Sequence, residues 1–369
     1  MRYEFETMTI GDCCDIIKKS IYPEKRQVYT CFSLPAFDNS NTPEILNGED
    51  IKSSKFVLDE NTILFNKLNP KFRRVWNIHS LEKYENTICS TEFLPLKAKA
   101  NIEQDYLYYY ISSPYFTRLM DGIRTGTSNS QQRIDWKQFL REQINVPSLP
   151  IQRKVVSLLS NIDKKIKLNN EINDNLEQQA QAIFDNMFPN ILNGENTIGD
   201  IITPKRGKGL LSKNAVFGNV PVVAGGLEPS TYHNTANTVA PVLAISASGA
   251  NAGFVSLWNT PIWSSDSSFI DSSMTDYVYF WYVLLKKRQR EIYDSQTGSA
   301  QPHIYPKHIA AMPISDLNFD DVRNYTSIVT PIFEMIGHNK DENARLATTR
   351  DTLLPKLMSG ELDVSNIEV

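Results

Sequence analysis

Residues 155–187 (VVSLLSNIDKKIKLNNEINDNLEQQAQAIFDNM) decide the architecture, because apolar or asparagine residues recur there in steps that alternate four and three. This is the heptad pattern of a coiled-coil seam. Pro150 suits a first helical turn and Pro189 ends the pattern, so the sequence predicts one long helix between them. The seam positions are Val155, Leu159, Ile162, Ile166, Asn169, Asn173, Leu176, Ala180, Ile183 and Met187.

The same pattern returns without a gap 170 residues later, and eight of its ten positions keep their character. Pro331, with Thr330 as its cap, and Pro355 are predicted to bound the uninterrupted part of this second helix. Buried asparagines fix the register of paired helices, so two of them at matching places predict an intramolecular antiparallel pair. A dimerisation coil between two identical chains is the alternative. The second set of positions is Tyr325, Val329, Ile332, Ile336, Asn339, Asn343, Leu346, Arg350, Leu353 and Leu357.

Shorter strings also recur in the same order in both halves of the chain. Thr9-Ile10-Gly11-Asp12 returns as Thr197-Ile198-Gly199-Asp200, and Thr125-Gly126-Thr127 returns as Thr297-Gly298-Ser299. Such internal repetition indicates a duplicated architecture. The predicted domains are 1–148, a central helix 149–190, 191–318, and a C-terminal helix 319–369. The fold class is therefore α+β: two mixed α/β domains related by pseudo-twofold symmetry and separated by an antiparallel two-helix coiled coil.

The local pattern inside each half is mixed. Short β-rich runs at 63–65, 242–245 and 254–258 predict strands, and residues 105–120 and 276–293 predict helices. No apolar run approaches the roughly 20 residues of a membrane span, so we expect a cytoplasmic protein without membrane contact. The cysteines lack metal-ligand spacing and are expected to be reduced thiols, and no metal site is predicted. They are Cys13, Cys14, Cys31 and Cys89.

The sequence contains no convincing catalytic motif. Asn69-Pro70-Lys71-Phe72 is similar to the Asn-Pro-Pro-Tyr/Phe loop of adenine methyltransferases, but Lys71 replaces the second proline. Gly207-Lys208 is followed by Gly209, so it does not form a phosphate-binding loop. We therefore expect a non-catalytic chain.

The net charge of −4 lies in residues 319–369, which carry nine acidic and five basic side chains, so bulk charge does not indicate a nucleic-acid binder. Local basic clusters do, because Lys and Arg neutralise phosphates while small polar side chains read base edges. One such cluster, 286–290, precedes the second Thr-Gly string. The predicted DNA-binding residues are Lys67, Asn69, Lys71, Arg73, Arg74, Arg124, Thr125, Ser128, Gln131, Arg133, Lys205, Arg206, Lys208, Ser246, Ser248, Asn251, Thr297, Ser299, Gln301 and His303.

The ordered set of motifs resembles the specificity subunit of Type I restriction-modification systems. The resemblance rests on the two Thr-Ile-Gly-Asp starts, the run 297–304 (TGSAQPHI), 149–153 (LPIQR), 162–166 (IDKKI) and the ending 353–360 (LLPKLMSG). The first half departs from the pattern, with Ser128-Asn129-Ser130-Gln131 where the second has the shorter Ala300-Gln301-Pro302.

The resemblance implies a non-catalytic subunit whose two target-recognition domains each read one half of a bipartite DNA target. It implies that the helices set the spacer and dock the methyltransferase subunits. The implied partners are double-stranded DNA, two methyltransferase (M) subunits and two restriction (R) subunits. No cofactor is expected on this chain, whereas S-adenosylmethionine, ATP and Mg²⁺ are expected on the partner subunits. A coiled-coil homodimeric protein-binding adaptor without DNA affinity is the alternative.

Overall fold

The computed structural model describes residues 4–69, 71–125, 132–298 and 301–367. The chain divides into two compact units, Met1–Ile166 with Arg345–Val369, and Lys167–Ala344. Both units mix helices with sheets, so the predicted α+β class is confirmed. The bounds of the four segments proposed from the sequence stay a prediction.

The first unit contains two larger sheets, one antiparallel and one mixed, and two two-stranded sheets. Its strands are β1 (Phe5–Thr9), β2 (Cys14–Ile16), β3 (Ser20–Ile21), β4 (Val28–Phe32), β5 (Glu44–Asn47), β6 (Lys55–Val57), β7 (Thr62–Asn66), β8 (Val75–Ile78), β9 (Thr87–Ser90), β10 (Phe93–Ala98), β11 (Arg124–Thr125), β12 (Arg133–Ile134) and β13 (Gln143–Pro147). The antiparallel sheet has the order β2-β10-β7-β8. The mixed sheet has the order β3-β6-β9-β4-β5, in which β4 and β9 run parallel.

The helices of the first unit cover the antiparallel sheet. They are α1 (Ile10–Cys13), α2 (Leu34–Ser40), α3 (Gln104–Ile111), α4 (Pro114–Gly122), α5 (Trp136–Arg141) and the start of α6 (Leu149–Met187), with a 3-10 turn at Gly48–Asp50. Strand β7 is buried along its whole length. Because successive side chains point to opposite faces, Ile63 and Phe65 pack with Phe116 in one core while Leu64 packs with Trp76 in another.

The second unit repeats this arrangement. Its strands are β14 (Asn196–Thr197), β15 (Lys205–Arg206), β16 (Val220–Val223), β17 (Thr231–His233), β18 (Val242–Ser246), β19 (Val255–Trp258), β20 (Trp263–Ser264), β21 (Ser267–Asp271) and β22 (Pro313–Ile314). The antiparallel sheet β15-β21-β18-β19 has the connectivity of β2-β10-β7-β8. The mixed sheet is smaller, with the order β17-β16-β20 and a parallel pair β16-β20.

Its helices also follow the first unit in order. They are α7 (Val278–Lys287), α8 (Gln289–Asp294), α9 (Pro306–Ala310) and most of α10 (Phe319–Met358), with 3-10 turns at Ile198–Asp200 and Ser212–Asn214. The predicted strands at 63–65, 242–245 and 254–258 correspond to β7, β18 and β19. The duplication predicted from the sequence is thus a duplication of sheet order and helix order.

The repeated Thr-Ile-Gly-Asp string begins a capped turn in both units, α-helical at Ile10–Cys13 and 3-10 at Ile198–Asp200. The Thr9 backbone N–H donates to Asp12 at 2.9 Å, and the Thr197 N–H donates to Asp200 at 2.8 Å, which closes a capping box in each unit. A Cβ on Gly11 would lie 3.1 Å from the Leu140 oxygen, and one on Gly199 would lie 2.9 Å from the Ala310 Cβ. The string recurs because Thr and Asp close the capping box, Gly leaves room for α5 or α9, and Ile is buried in the core of each unit.

The long helices α6 and α10 pair through asparagines inside the second unit. Asn169 donates to Asn343 Oδ1 at 2.8 Å, and Asn339 donates to Asn173 Oδ1 at 2.8 Å. Rising numbers on α6 meet falling numbers on α10, so the pairing is antiparallel and intramolecular, as predicted. Asn169 is fully buried, so a shift in register would leave its amide without these partners at a cost of about 1–3 kcal/mol.

Helix α10 begins at Phe319 and runs through Pro331, so the prediction that Pro331 bounds the uninterrupted part of this helix is wrong. Pro331 cannot donate to the Ser327 carbonyl, but both residues are exposed and water can reach that carbonyl. The fully buried Tyr325, Val329 and Phe333 line the opposite face of the same turns. Burial of that face keeps the helix continuous despite the proline, and Pro355 likewise lies within α10.

The two shorter helices predicted at 105–120 and 276–293 are each split. The first breaks between α3 and α4, where Ser113 accepts from the Phe116 N–H at 3.1 Å and Pro114 occupies the first turn of a new helix. The second breaks at Arg288, which is 3% exposed and binds Glu291 and the Pro313 carbonyl. A serine cap and a buried guanidinium therefore interrupt what hydrophobic periodicity presents as continuous.

All four cysteines are buried and form no disulfide bond. Burial raises the pKa of Cys13 to about 11 and that of Cys14 to about 12, so these thiols are protonated at neutral pH. Among the described residues, no group of three or more His, Cys, Asp or Glu side chains is arranged to hold a metal ion. In the same part of the chain, no helix is both long and apolar enough to cross a bilayer.

Candidate nucleic-acid interface

In the first unit, the loop after β7 lies against the β11-β12 hairpin. The Ile134 N–H donates to the Lys67 carbonyl at 3.0 Å, and the Asn69 N–H donates to the Gln132 carbonyl at 2.7 Å. Asn69 turns the loop in the left-handed region, with φ of 51°. The structure thus brings together the two clusters that the sequence predicted separately, one at 67–74 and one around Arg133.

The second unit builds the same junction at corresponding residues. The Ile304 N–H donates to the Ala247 carbonyl at 3.0 Å, and the Gly249 N–H donates to the Pro302 carbonyl at 3.1 Å. Gly249 turns the loop with φ of +82°. Leu68 bridges to Arg133 in one unit as Ser248 bridges to His303 in the other. Each unit therefore has a strand-end loop and a hairpin held by the same two hydrogen bonds, and we call this pair the loop-hairpin frame.

Acidic neighbours hold several of the cations in the first frame. Arg74 makes two 2.7 Å hydrogen bonds to Asp38, and Arg133 reaches Glu92 at 2.8 Å. Lys71 is exposed beside the Phe72 ring, with its Nζ 5.0 Å from the ring centroid. Arg73 is half-exposed and lies 4.0 Å from Asp351. The carboxylates orient Arg74 and Arg133, while Lys71 presents its charge to solvent.

Sequence reasoning missed Lys18 and Trp136. The Lys18 Nζ lies 3.7 Å from the centroid of the Trp136 ring, a cation-π contact. Burial, followed by the nearby charge of Lys67, lowers the pKa of Lys18. Two cations close together favour an anion beside them. Lys18 precedes β3 and is far from the loop in sequence, so no linear pattern could have found it.

The second frame is linked to β15. Arg206 Nη2 lies 2.5 Å from Asp266, and the Ser248 hydroxyl donates to the same carboxylate. Lys205 and Lys208 are exposed on either side of Arg206. The Asp266 carboxylate therefore fixes the basic strand against the strand-end loop.

The hairpin of the second frame is closed by His303. Its N–H donates to the Thr297 carbonyl at 2.8 Å, and the Thr297 N–H returns a bond to His303 at 3.0 Å. The His303 ring stacks on Tyr305 with a centroid distance of 5.9 Å. Thr297 and Gln301 are exposed beside it. These side chains are available to a ligand on that side of the hairpin.

Other predicted positions take different places. Ser246 is 3% exposed at the end of β18, and Asn251 is half-buried in the next turn. For Arg124 and Thr125 the structure describes only the backbone, in β11. Ser128, Gln131 and Ser299 lie outside the described residues. DNA contact by any residue of the predicted set stays a prediction.

The basic run 286–290 does not join the second frame. Arg288 is buried, and Lys287 pairs with Asp185 at 2.5 Å. Lys286 lies over the Phe254 ring, 5.0 Å from its centroid. In the first unit Trp76, which the sequence places beside the basic loop, is a core residue. Charge clusters in a sequence thus include cations with structural roles.

Comparison with known proteins finds similarity to one family over about half of the chain. Residues 3–178 match the family model of the Type I restriction modification DNA specificity domain. The chain is 28% identical over 147 residues to the Type I restriction enzyme HindI specificity subunit of Haemophilus influenzae, covering 39% of this chain and 32% of that one. It is 25% identical over 313 residues to the MjaIX specificity subunit of Methanocaldococcus jannaschii, covering 73% and 71%.

A solved structure supports the fold over nearly the whole chain. The S subunit of the Type I restriction-modification system from M. genitalium matches with a TM-score of 0.55 and 19% identity, covering 96% of both chains. The family model describes DNA recognition, which accounts for a chain that sequence analysis predicts to be non-catalytic. The chain is therefore similar in sequence to specificity subunits of Type I restriction-modification systems, over residues 3–178 to their DNA specificity domain and over 313 residues to one subunit.

Proposed function

We propose that each unit reads one half of a bipartite DNA target through its loop-hairpin frame. The observation that carries this proposal is the repetition of two backbone hydrogen bonds in both units, around different side chains. The first frame carries Lys67, Leu68 and Asn69 where the second carries Ala247, Ser248 and Gly249. Side-chain donors and acceptors read base edges. Two frames with the same backbone hydrogen bonds but different side chains can therefore recognise two different half-site sequences.

The long helices have a separate role in this proposal. Helices α6 and α10 contain 39 and 40 residues, and their asparagine pairs fix one register. We propose that they set the number of bases between the half-sites and dock two methyltransferase subunits, which two restriction subunits join. The partners then supply the chemistry, with S-adenosylmethionine on the methyltransferase subunits and ATP with Mg²⁺ on the restriction subunits. This chain binds none of these cofactors, and a cytoplasmic location fits its access to DNA.

Methylation-sensitive sequencing of host DNA tests the proposal directly. Host DNA is compared with and without the gene for this chain, while the methyltransferase is present in both. We expect a split methylated motif that disappears with the chain. A motif that persists without it, or a continuous motif, would contradict the proposed function.

Exchange of one reader tests the division of labour. Residues 1–148 are replaced by the corresponding segment of a relative with another target, and the motif is sequenced again. We expect one half-site to change while the other stays the same. A change in both halves would show that the frames do not read independently.

Insertion of one heptad after Asn173 and one before Asn339 tests the role of the helices. Lengthening both helices keeps their asparagines paired and should lengthen the unspecified spacer of the motif. An insertion in α6 alone is the control, because it leaves the asparagine pairs in place but shifts the residues after Asn173 out of register with α10. An unchanged spacer in a folded double insertion would refute the spacing role.

A further inference from the structure

The loop between β15 and β16 carries an unusually exposed aromatic ring. Phe217 is 94% exposed, the highest value among the large hydrophobic side chains of the described residues. Leu211 and Val216 on the same loop are 62% and 55% exposed. A phenylalanine in water gives up the stabilisation that burial would provide, so its presence at a loop tip calls for a ligand that covers it.

The backbone on both sides of Phe217 is held in place. The Val216 N–H donates to His233 Nδ1 at 3.0 Å. On the other side, a Cβ on Gly218 would lie only 2.4 Å from the His233 oxygen, so the chain passes very close to β17 there. The ring therefore projects from an anchored turn.

The beginning of the loop is fixed to the same place. The indole N–H of Trp263 donates to the Lys208 carbonyl at 2.8 Å, and the Trp263 ring meets the His233 ring edge-on with centroids 5.0 Å apart. The Lys208 N–H also donates to the Ser264 carbonyl at 2.9 Å. One pair of aromatic rings thus secures both ends of the loop, near the basic strand and near Phe217.

The charge of this segment indicates what covers the ring. Residues 201–227 contain four basic and no acidic side chains, namely Lys205, Arg206, Lys208 and Lys213. Arg206 connects the segment to the second loop-hairpin frame through Asp266. An exposed ring on a basic segment is suited to bind a polyanion that also has flat apolar surfaces. Duplex DNA has this combination, because bases stack and phosphates carry the charge.

We propose that Phe217 inserts into a base step of the half-site read by the second unit, or stacks on a base opened there, while the flanking lysines hold the phosphates. This inference rests on the proposed function, because it requires the second unit to bind DNA. The free energy of unstacking a base step differs between DNA sequences. Insertion of the ring would therefore contribute to sequence recognition without a hydrogen bond to a base.

Fluorescence and binding measurements on the full chain with its methyltransferase partner test this inference. The probe is a duplex that carries the motif found by sequencing, with 2-aminopurine at successive positions of the half-site. For the unaltered protein we expect a rise in fluorescence at one step, since unstacking relieves the quenching of that base. Phe217→Ala should abolish the rise and weaken binding about 5- to 100-fold, while Phe217→Trp should keep both.

Leu211→Ala is the matched control, because it removes exposed apolar surface from the same loop without removing a ring. It should leave the fluorescence rise unchanged. The inference is overturned if Phe217→Ala binds and unstacks the motif like the unaltered protein, or if it binds DNA normally but no longer co-elutes with the methyltransferase. Absence of any motif in the sequencing experiment would instead overturn the proposed function, and this inference with it.

Discussion

The two units differ in the contacts made at equivalent positions of their long helices, which are polar in the first unit and apolar in the second. Where the first unit has Asp163 and Arg350 on its long helices, the repeat places Phe333 and Ala180 in the second. Asp163 accepts from the Tyr109 hydroxyl at 2.7 Å and from Arg350 at 2.8 Å. Phe333 is instead fully buried and stacks on Tyr279, with centroids 4.9 Å apart.

This difference shows which contacts can vary between the two units without a change of fold. The helix crossing accepts a polar or an apolar contact, and the polar version stays about one-third exposed, so water shares the cost of its charges. The backbone bonds of the two loop-hairpin frames, by contrast, are the same in both units. The duplicated molecule therefore varies its side chains freely around constant backbone junctions.

Substitution at the helix crossing should give the largest effects and should differ between the units. Phe333→Ala leaves a cavity in a closed core and should lower the free energy of unfolding of the second unit by about 3–5 kcal/mol. Asp163→Asn removes only the charge of a partly exposed group and should cost the first unit about 1–2 kcal/mol, less at high salt. Urea unfolding followed by hydrogen exchange of each unit measures both losses, and equal losses would contradict the comparison.

Removal of the capping boxes should affect the two units alike. Thr9→Ala and Thr197→Ala each delete the hydroxyl that caps a turn, so each should cost its own unit about 1 kcal/mol. Hydrogen exchange in the residues after each turn reports the loss. The conservative Thr9→Ser and Thr197→Ser variants retain the hydroxyl and should behave like the unaltered protein. A loss in one unit alone would mean that the repeated string has different roles.

Removal of one exposed cation from the first frame should change binding without changing the fold. Lys71→Ala should reduce the slope of log binding constant against log salt by about one unit, as expected for one lost phosphate contact. Lys25→Ala removes an exposed lysine outside the frame and should leave the slope unchanged. Titrations of the full complex on target duplex at several salt concentrations give these slopes. An unchanged slope for Lys71→Ala would remove that lysine from the interface.

The smallest effect concerns pH and is confined to the first unit. His79 Nε2 lies 3.1 Å from Asp105, and this hydrogen bond raises the pKa of His79 above its ordinary value of 6.5. The stabilisation is therefore full below about pH 6.5 and is lost as pH rises through the raised pKa. Because His79 is more than half exposed, the change should be below about 1 kcal/mol. Hydrogen exchange of the first unit between pH 6 and 8 should detect it, and His79→Gln should remove it.

Local repetition and heptad spacing were sufficient to predict the duplication and the antiparallel pairing. The structural roles of the Thr-Ile-Gly-Asp strings and of the asparagines in α6 and α10 can be predicted from the sequence, because each contacts near neighbours or recurs at a fixed spacing. The interruption of α10 at Pro331 was mispredicted, because burial of one helix face outweighs the local penalty of the proline.

The candidate interface was predicted only in part. The two clusters of each frame were found in the sequence, but their contact comes from sheet order, which pairs β7 and β18 with distant strands. Lys18 reaches Trp136 across the fold, and Arg288 turns inward, so neither role follows from charge spacing. The exposure of Phe217 also depends on the anchoring of its loop by His233 and Trp263.

The identical hydrogen bonds of the two frames have a practical consequence for engineering. Main-chain hydrogen bonds of residues 67, 69, 132 and 134 hold the first junction, and those of 247, 249, 302 and 304 hold the second. Side chains between these residues are therefore candidates for randomisation. The turn positions at Asn69 and Gly249 should be kept, because both adopt left-handed backbone angles. A library of variants built on this rule would change the sequence recognised at one half-site, while the unchanged half-site serves as an internal standard.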